Sequence, residues 1–482
     1  MIIGVDVGTT AIKAAAVHRD GTVGHAASRR ATLRRRGPIV EQRIDDVIIA
    51  VSDAVREIVR TDHDSVEAIA ITGQGDGLWL RGVDGRETRP AISWMDGRAA
   101  ELVNEWLQCG VVGRVFDVSG CGLYPGSHMT LMAWMQRFEP QSLTSAATAG
   151  YCNDAIVERL TGRRSVHPSD AVLSFWDSRS NSYRDEALGL LGLTEYRHLL
   201  PQPSSDAELF VLSNEGARLL DVPIGTPVSG GPYDLLACSL GVGASAVGDG
   251  TIVLGTTLSC QVRTSGSKGA VALPAGMHLP VTHSSDLLQV MPSMVGTAGI
   301  DWLFSLLGLD LAQLDALVAQ SPIGANGVRC LSSLSLSGER APFIEPFARG
   351  TFTGLSLSTS RADLVRAFCE SLAYVARHCF EQLPLTGRLI GCGGGLMSDG
   401  WAQMFADVLG REILVSRDPF VGARGAAMNA WTSLGWPTAR AAGPDGLTRV
   451  SPDASRTAEY DEHYDRYRSL LESARLDWAT RR

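Results

Sequence analysis

The 482-residue chain has no long apolar run, no paired-cysteine motif and no excess of positive charge. No stretch approaches the ~18 uninterrupted apolar residues of a membrane-spanning helix, and the strand-like segment directly after Met1 leads us to expect no signal peptide. The nine cysteines are spread out and include no C-x-x-C pair, so neither a zinc site nor a disulfide framework is indicated. We therefore expect a cytoplasmic protein with free thiols and no membrane partner.

The balance of charge is acidic, with 43 Lys and Arg against 52 Asp and Glu, which gives a formal net charge of −9. Because binding a polyanion requires clustered Lys and Arg, we expect no nucleic-acid partner. One basic cluster, from Arg29 to Arg36, is typical of a solvated loop, and its role stays open. The length is sufficient for two or three domains with a large buried core.

Two short segments far apart in the chain have nearly the same sequence. Residues 5–10 are VDVGTT and residues 252–257 are IVLGTT, so each is an apolar run that stops at Gly-Thr-Thr. Such a turn exposes backbone N–H groups and hydroxyls that suit phosphate oxygens, although a plain hairpin is the alternative for each copy. The repetition favours two related domains that bind one polyphosphate. Asp6 is matched by Val253, so only the first copy offers a carboxylate for magnesium.

Two glycine-rich segments follow other apolar runs. Residues 66–72 predict a buried strand that ends in GQGDG, at the kind of strand end where α/β folds bind ligands. Later, a long helix over residues 361–382 precedes the strand-like pair Leu389-Ile390 and the cluster GCGGG. A helix beginning near Ser398 follows, and this arrangement allows a nucleotide to approach the backbone closely. The glycine-rich residues 241–250 indicate a domain boundary.

Taken together, these segments resemble the FGGY family of carbohydrate kinases, and the likeness extends from Met1 to about Trp436. The matching segments are DVGTTAIKA from Asp6, VEQ from Val40, TGQGDGLWL from Thr72, ISWMDGRA from Ile92, GTPVSGGPYD from Gly225, LGTT from Leu254, SGERAPF from Ser337 and GCGGGLMSDGWAQMFADVLG from Gly391.

The resemblance implies an α/β fold with two actin-like (ribonuclease-H-like) ATPase domains, each a mixed sheet flanked by helices, and an interdomain cleft. Residues 1–245 would form an N-terminal domain with the sugar site and the first phosphate loop. Residues 246–440 would form a C-terminal, nucleotide-binding domain, and residues 441–482 a C-terminal helical extension. Whether the protein forms a homodimer is left open.

The resemblance also implies a reaction, the transfer of the γ-phosphate of ATP to a hydroxyl of a small sugar or polyol, with Mg²⁺ as cofactor. An alcohol is a poor nucleophile, so a carboxylate must accept its proton. Asp234 matches the base of the family, and its alternative role is to cap the helix that follows. Asp6 would orient magnesium through water, and its alternative role is to stabilise a turn.

The resemblance assigns the remaining site residues in two groups. For ATP and its phosphates they are Gly8, Thr9, Thr10, Lys13, Gly255, Thr256, Thr257, Gly296, Asp301, Gly394, Gly395 and Asp399. For the substrate they are Gln74, Gly75, Asp76, Trp94, Asp96, Arg98 and Asp234. Lys13 is alternatively a surface residue, and Trp94 and Trp79 each either form the apolar wall of a sugar pocket or belong to the core.

Two departures concern the substrate. Xylulokinases usually have a histidine where this chain has Asp76, and a glutamine where it has Leu235. The segments GQGDGLW and GPYD resemble kinases of erythritol or L-xylulose more closely, so we expect a neutral polyol or ketose, with D-xylulose a poorer substrate.

Two other classes of protein share the fold. One is an actin-like ATPase that acts as a chaperone or scaffold, and the other is a sugar- or nucleotide-responsive binding protein without turnover. The sugar-pocket segments speak against the first. The presence of both Asp6 and Asp234 speaks against the second.

Overall fold

The N-terminal Gly-Thr-Thr segment forms the turn of a β-hairpin, as the sequence predicts. The elements up to residue 241 are β1 (Ile2–Val7), β2 (Ala11–Val17), β3 (Val23–Arg30), β4 (Arg34–Arg36), β5 (Ile39–Gln42), α1 (Ile44–Thr61), β6 (Ala68–Gly73), β7 (Trp79–Arg81), β8 (Ala91–Ile92), α2 (Ala100–Gln108), α3 (Val111–Ser119), α4 (His128–Phe138), α5 (Pro140–Thr144), β9 (Thr148–Gly150), α6 (Cys152–Thr161), α7 (Pro168–Ala171), β10 (Trp176–Asp177), β11 (Ser182–Tyr183), α8 (Asp185–Leu190), β12 (Phe210–Val211), α9 (Asn214–Leu220), β13 (Pro227–Ser229) and α10 (Asp234–Gly241).

The second Gly-Thr-Thr segment forms the turn of another hairpin. The elements after residue 241 are β14 (Gly250–Leu254), β15 (Leu258–Thr264), β16 (Met277–Pro280), β17 (Leu287–Pro292), α11 (Thr297–Leu307), α12 (Leu314–Gln320), β18 (Arg329–Leu331), β19 (Thr351–Thr353), α13 (Arg361–Phe380), β20 (Leu389–Cys392), α14 (Asp399–Leu409), β21 (Ile413–Ser416), α15 (Val421–Ser433), β22 (Leu447–Val450) and α16 (Ala454–Thr480).

The computed structural model describes residues 1–177, 180–205, 208–266, 274–436 and 446–480. These residues form two compact units. The first lies within residues 1–243, 277–288 and 420–443, and the second within 244–276, 289–419 and 444–482. The expected border between residues 440 and 441 lies outside the described residues. The sequence-based division into consecutive domains differs from these two units mainly at α15. This helix packs against β1, β6 and α10 of the first unit.

The main sheet of each unit repeats the same order of strands. In the first unit the order is β3-β2-β1-β6-β13-β12, and in the second the order β17-β15-β14-β20-β21-β22 corresponds to it strand by strand. Each hairpin is antiparallel, and its first strand then pairs in parallel with the next strand of the sheet, β1 with β6 and β14 with β20. The two related domains that the repeated turn predicts are therefore confirmed as two copies of one mixed α/β topology.

The core of the first unit lies on both faces of its sheet. Helix α1 buries Ile44, Val47, Ile48 and Val51 at helical spacing, with acidic residues in its first turn and Arg60 in its last, which suits the helix dipole. On the other face, Ala426, Ala430 and Trp431 of α15 pack against Ile2, Val17, Ala68 and Ala70. Ile44 to Val59 carries apolar residues at helical spacing, and the helix that this spacing predicts is confirmed and extends to Thr61.

The basic cluster does not form a loop. Arg29 and Arg30 belong to β3, and Arg34–Arg36 form β4, which pairs antiparallel with β5. The prediction of a loop is wrong because a local excess of charge indicates exposure to solvent but says nothing of pairing with a distant strand. The three arginines of β4 are exposed, as expected.

Among the described residues, no single helix is long and apolar enough to cross a membrane. The pair Thr297–Leu307 and Leu311–Gln320 meets the criteria of length and composition only when both members are combined, and they are bent by 101°.

The close approach of β1 and α15 makes a prediction about stability. A Cβ atom on Gly4 would overlap the carbonyl oxygen of Ala423, whereas one on Gly113 of α3 would meet nothing within 4 Å. We expect Gly4→Ala to lower the free energy of unfolding by about 1–3 kcal/mol because backbone must move apart. Gly113→Ala is the matched control, and it should be neutral or stabilising by up to about 1 kcal/mol. Equal thermal midpoints for the two variants would contradict the packing described.

Candidate active site

The loop before Asp234 is held on both sides by hydrogen bonds. Asp234 is the first residue of α10, and its carboxylate is half-buried. The hydroxyl of Thr72, at the end of β6, donates to the carbonyl oxygen of Pro232 at 2.5 Å. The hydroxyl of Ser169 accepts from the backbone N–H of Tyr233 at 2.9 Å. The N-cap position is occupied by Tyr233, which makes no side-chain cap bond, so Asp234 is not the N-cap residue of α10.

The segment Gln74-Gly75-Asp76 packs directly against this loop. A Cβ atom on Gly75 would overlap the ring of Tyr233, so only glycine allows the two segments to approach so closely. On the other side of the loop, a Cβ atom on Gly231 would overlap the ring of His167. The first unit thus brings the predicted base and the predicted substrate segment together.

The surroundings of Asp234 contain two further buried acids. Burial raises the pKa of Asp170 well above its ordinary value, and the neighbouring carboxylates of Asp154 and Asp234 raise it further. Asp154 is paired with Arg81 at 2.6 Å, and that arginine also binds Glu158. Ser169 and Asp170 are not indicated by the sequence, because no motif distinguishes them from an ordinary polar turn.

Asp76 is a buried carboxylate with partners inside the protein. Its φ of 53° is in the left-handed region, which a short polar residue tolerates better than most. Its Oδ2 accepts from the hydroxyl of Tyr124 at 3.0 Å, and its Oδ1 accepts from the backbone N–H of His128 at 3.2 Å. The neighbouring Gln74 donates to Gln42 at 3.0 Å.

The loop of Trp94, Asp96 and Arg98 lies next to Gly77, where a Cβ atom would come within 3.1 Å of the backbone nitrogen of Trp94. Asp96 is fully buried and accepts from the Val40 N–H at 2.6 Å and from the Arg98 Nε at 2.8 Å. Arg98 also pairs with Glu41. Asp96 and Arg98 therefore hold the loop together. Trp94 is 8% exposed, while Trp79, at 1%, belongs to the main core cluster, which confirms its core interpretation.

The first phosphate turn places Asp6 opposite Lys13. These residues are partners in the β1–β2 register, and the Gly8 N–H donates to the Ala11 carbonyl at 3.1 Å to close the turn that carries Thr9 and Thr10. Burial raises the pKa of Asp6 to about 6, against the opposing effect of Lys13. A Cβ atom on Gly422, in the first turn of α15, would overlap the Asp6 carboxylate.

Three segments of the second unit meet at its Gly-Thr-Thr turn. The Gly296 N–H donates to the Thr256 carbonyl at 3.0 Å, and the Thr297 N–H donates to the Gly255 carbonyl at 2.8 Å. A Cβ atom on Gly395 would come within 2.5 Å of the Leu254 side chain. Glycine is therefore needed where these segments touch. The structure brings together six of the residues that are predicted to bind the nucleotide: Gly255, Thr256, Thr257, Gly296, Gly394 and Gly395.

Asp301 lies on α11 and Asp399 lies at the start of α14. Asp301 is exposed, one turn after Thr297. Asp399, the first residue of α14, is exposed and ion-paired with Arg417. Arg417 also donates to the carbonyls of Leu396 at 3.0 Å and Met397 at 2.8 Å. Sequence reasoning missed Arg417, whose partners lie far away in the chain.

The SGERAPF segment, which begins at Ser337, is hydrogen-bonded to the residues just before Gly296. Glu339 is buried and accepts from the Met294 N–H at 2.8 Å and from the Ser293 hydroxyl at 3.1 Å. Arg340 donates to the Pro292 carbonyl at 2.9 Å. These bonds fix the backbone that leads into Gly296.

Comparison with known proteins agrees with this geometry. Residues 1–241 match the N-terminal domain of the FGGY family of carbohydrate kinases, and residues 248–434 match its C-terminal domain. The chain belongs to this family. It is therefore a phosphotransferase that acts on a sugar hydroxyl, and ATP is the phosphoryl donor of the family. This speaks against the alternative of a binding protein without turnover.

Relatives of known activity and solved structures align with most or all of this FGGY kinase. An erythritol kinase from Brucella abortus is 30% identical over 97% of this chain and 95% of its own. A xylulose kinase from Escherichia coli is 28% identical over 86% of each chain. The crystal structure of a xylulose kinase from Rhodospirillum rubrum, 27% identical, matches with a TM-score of 0.82 over 99% of both chains. One from Lactobacillus acidophilus, at 19% identity, reaches 0.89 over 100% of this chain and 99% of its own and shows the fold.

The raised pKa of Asp6 predicts a pH-dependent cost in stability. Its folded value of about 6 exceeds the ordinary value of 3.8, so the folded state binds the proton more tightly than the unfolded state. The free energy of unfolding should therefore fall as the pH rises from about 4 to about 6 and stay low above that, by as much as about 3 kcal/mol. Asp6→Asn should remove this fall.

The measurement is urea unfolding between pH 4 and pH 8 without divalent cations. Asp53→Asn, an exposed position on α1, is the matched control and should follow the wild type. If the wild type and Asp6→Asn differ by a constant amount over this range, the assignment of the titration to Asp6 is wrong.

Proposed function

We propose that this kinase transfers the γ-phosphate of ATP to a hydroxyl of a small neutral polyol or ketose, with Asp234 as the general base. The observation that carries the proposal is the loop of Asp234. Its backbone is held by Thr72 and Ser169, and the Gln74–Asp76 segment packs against it within the same unit. A base must be fixed within hydrogen-bond reach of the hydroxyl whose proton it accepts, and a braced loop provides that fixed position.

The substrate pocket in this proposal is formed by Gln74, Gly75, Asp76 and the loop of Trp94, Asp96 and Arg98. Asp76 and Gln74 offer acceptors for hydroxyl groups, and Trp94 offers an apolar surface for a C–H face. Arg98 is neutralised by Asp96 and Glu41, so it gives little attraction to an acidic sugar. A neutral polyol or ketose therefore suits these side chains better than a sugar acid.

The nucleotide part of the proposal rests on the second unit. The backbone N–H groups and hydroxyls of the Gly255–Thr257 turn, with the N-terminus of α11, suit phosphate oxygens. Gly394 faces open space, which suits adenosine, whereas Gly395 lets its segment pack against Leu254. Asp399, which is ion-paired with Arg417, is assigned to the same adenosine-binding segment. Thr9, Thr10 and Lys13 of the first unit are assigned to the transferred phosphate. Asp301 is assigned to the nucleotide side because α11 begins at the same turn.

Magnesium fits the residues around Asp6. A carboxylate whose pKa burial raises to about 6 is held in an unfavourable ionised state at neutral pH, and a nearby cation relieves that cost. Carboxylate oxygen is also a ligand type that Mg²⁺ prefers, often through water. When bound, the ion would neutralise phosphate charge. Asp6 would hold and orient it, and Lys13 would keep the Asp6 carboxylate ionised.

The names of the relatives leave several acceptors open. They include an erythritol kinase at 30% identity, xylulose kinases at 28% and 29%, and an L-xylulose/3-keto-L-gulonate kinase at 24%. We favour erythritol and L-xylulose over D-xylulose because Asp76 stands where xylulokinases usually have a histidine. The carboxylate can accept from two adjacent hydroxyls.

The role of Asp234 predicts a large loss of turnover without a loss of folding. Asp234→Asn should lower kcat at least about a hundredfold, since a positioned general base contributes about 10²–10⁴-fold. The thermal midpoint and the affinity for ATP should be unchanged. ADP release is measured with ATP, Mg²⁺ and the best acceptor of a polyol and ketose panel. Asp53→Asn serves as control and should retain full activity, and near-normal turnover of Asp234→Asn would remove the assignment.

The role of Asp76 predicts a shift in substrate affinity. Asp76→Asn should raise KM for erythritol or L-xylulose at least about tenfold, because a hydrogen bond to a charged group contributes about 1.5–3 kcal/mol. Asp76→His should weaken the natural substrate further, since it also removes the contacts to Tyr124 and the His128 N–H.

Tyr124→Phe is the control for those internal contacts. It removes one partner of Asp76 but keeps the carboxylate, so its KM should stay close to that of the wild type. A panel in which D-xylulose is clearly the best substrate, with all three variants indifferent to the acceptor, would reject this choice of substrate and leave the kinase assignment intact.

A further inference from the structure

A second group of metal-ligating side chains lies in the first unit, at the opposite end of β2 from the phosphate turn. We call His18, Asp62 and Asp64 the His18 cluster. The Nδ1 atom of His18 is 3.1 Å from the Oδ2 of Asp64, and its Nε2 is 3.6 Å from the Oδ2 of Asp62. One ligand atom from each of the three residues lies within 4.8 Å of the others. Strand β2 separates the cluster from Gly8–Thr10 by about 20 Å.

Two chain ends and a neighbouring strand build the cluster. His18 directly follows β2, and Asp62 is the C-cap residue of α1, where its Oδ1 accepts from the Asp64 N–H at 3.1 Å. Gly24 of β3 lies across from them. A Cβ atom on Gly24 would overlap the Nε2 of His18 and lie 3.1 Å from the Oδ2 of Asp62, so glycine keeps the space between these two ligands open. The side chain of Asp62 is only 9% exposed and directed into that space.

The same surface pocket contains two more imidazoles. His25 follows Gly24 on β3, His63 stands between the two aspartates, and both side chains line the pocket and are exposed. The only arginine in the adjoining turn, Arg19, is ion-paired with Glu67. With neutral imidazoles the pocket carries a formal charge of −2 from its two carboxylates. Three imidazoles and two carboxylates thus face one opening, next to Gly24, where an added Cβ atom would displace the His18 ring.

We propose that the His18 cluster binds a divalent first-row transition cation such as Zn²⁺. The ligands are one ring nitrogen of His18, one oxygen each from Asp62 and Asp64, and a nitrogen from His25 or His63. Mixed imidazole and carboxylate donors suit Zn²⁺, Co²⁺ or Ni²⁺, whereas Mg²⁺ prefers oxygen ligands alone. Bonds of about 2.0–2.2 Å place neighbouring ligands of a tetrahedral ion about 3.4 Å apart. The ligand atoms of the cluster lie within 4.8 Å of one another, so a small contraction brings them to that spacing.

Binding would connect the β2–β3 turn to the end of α1. Only the half-exposed ring of His18 and the exposed side chain of Asp64 need to rotate so that one nitrogen faces both carboxylates. The same contacts also suit a protonated His18 that is ion-paired with both aspartates and binds no metal. Only the first arrangement binds an added divalent cation, so a metal titration distinguishes the two. The proposal does not depend on the kinase reaction.

The experiment is a titration of the full chain, treated with EDTA and desalted, with ZnCl₂ in a calorimeter and with CoCl₂ in a visible spectrometer. Cys109 is the exposed thiol among the described residues, so the background variant is Cys109→Ser. We expect one equivalent of Zn²⁺ to bind with a micromolar or lower Kd, a rise in the thermal midpoint, and Co²⁺ absorption bands of nitrogen and oxygen coordination. Excess Mg²⁺ should not displace the ion.

Variants locate the site. His18→Gln and Asp62→Asn should each weaken Zn²⁺ at least about tenfold, as should the double variant His25→Gln, His63→Gln, which leaves the buried residues intact. His198→Gln changes an exposed histidine elsewhere and should bind like the background protein. No saturable binding at 100-fold excess over protein, or equal affinity in His18→Gln and His198→Gln, would overturn the proposal in favour of the ion-paired histidine.

Discussion

Parallel pairing of β1, β6 and β13 is the constraint on which the first unit depends. Parallel strands have their carboxyl ends at the same edge of a sheet, and each of these three is followed by a segment of the candidate site. Val7 leads into the phosphate turn, Gly73 into Gln74–Asp76, and Ser229 into the loop of Asp234. Thr72 and Pro232, which are 160 positions apart, therefore meet without any long-range motif, because parallel strand direction brings the two segments to the same edge.

The second unit obeys the same constraint with different chemistry. Its strands β14, β20 and β21 are parallel neighbours, and their carboxyl ends lead into Gly255–Thr257, Gly393–Gly395 and Arg417. In the first hairpin Asp6 faces Lys13, whereas in the second hairpin Val253 faces Ser259. One copy of the fold thus holds a charged pair, and the other presents neutral backbone and hydroxyl groups. This divergence fits the proposed division between cation and phosphoryl chemistry in the first unit and nucleotide binding in the second.

The sequence predicts what local residues determine. The two hairpins, the helix from Ser398 and the helices from residues 44 and 361 follow from periodicity, caps and turn glycines, and the structure confirms them. The sequence does not predict the distant hydrogen-bond and ion-pair partners that hold the site residues in place. Thr72 and Ser169 hold Asp234 from other elements, and Arg417 reaches Asp399 from the next strand. Nothing in the sequence around these residues differs from ordinary polar surface, so only the fold reveals them.

Asp76 shows why a substituted residue in a pocket needs its surroundings before its meaning is known. The sequence indicates a carboxylate where related kinases have a histidine, and a direct contact with substrate is the simplest reading. The structure adds that this carboxylate stabilises a left-handed turn by accepting from Tyr124 and from the first N–H of α4. An exchange of Asp76 alone would therefore also disturb this turn, and it would not by itself convert one pocket into the other.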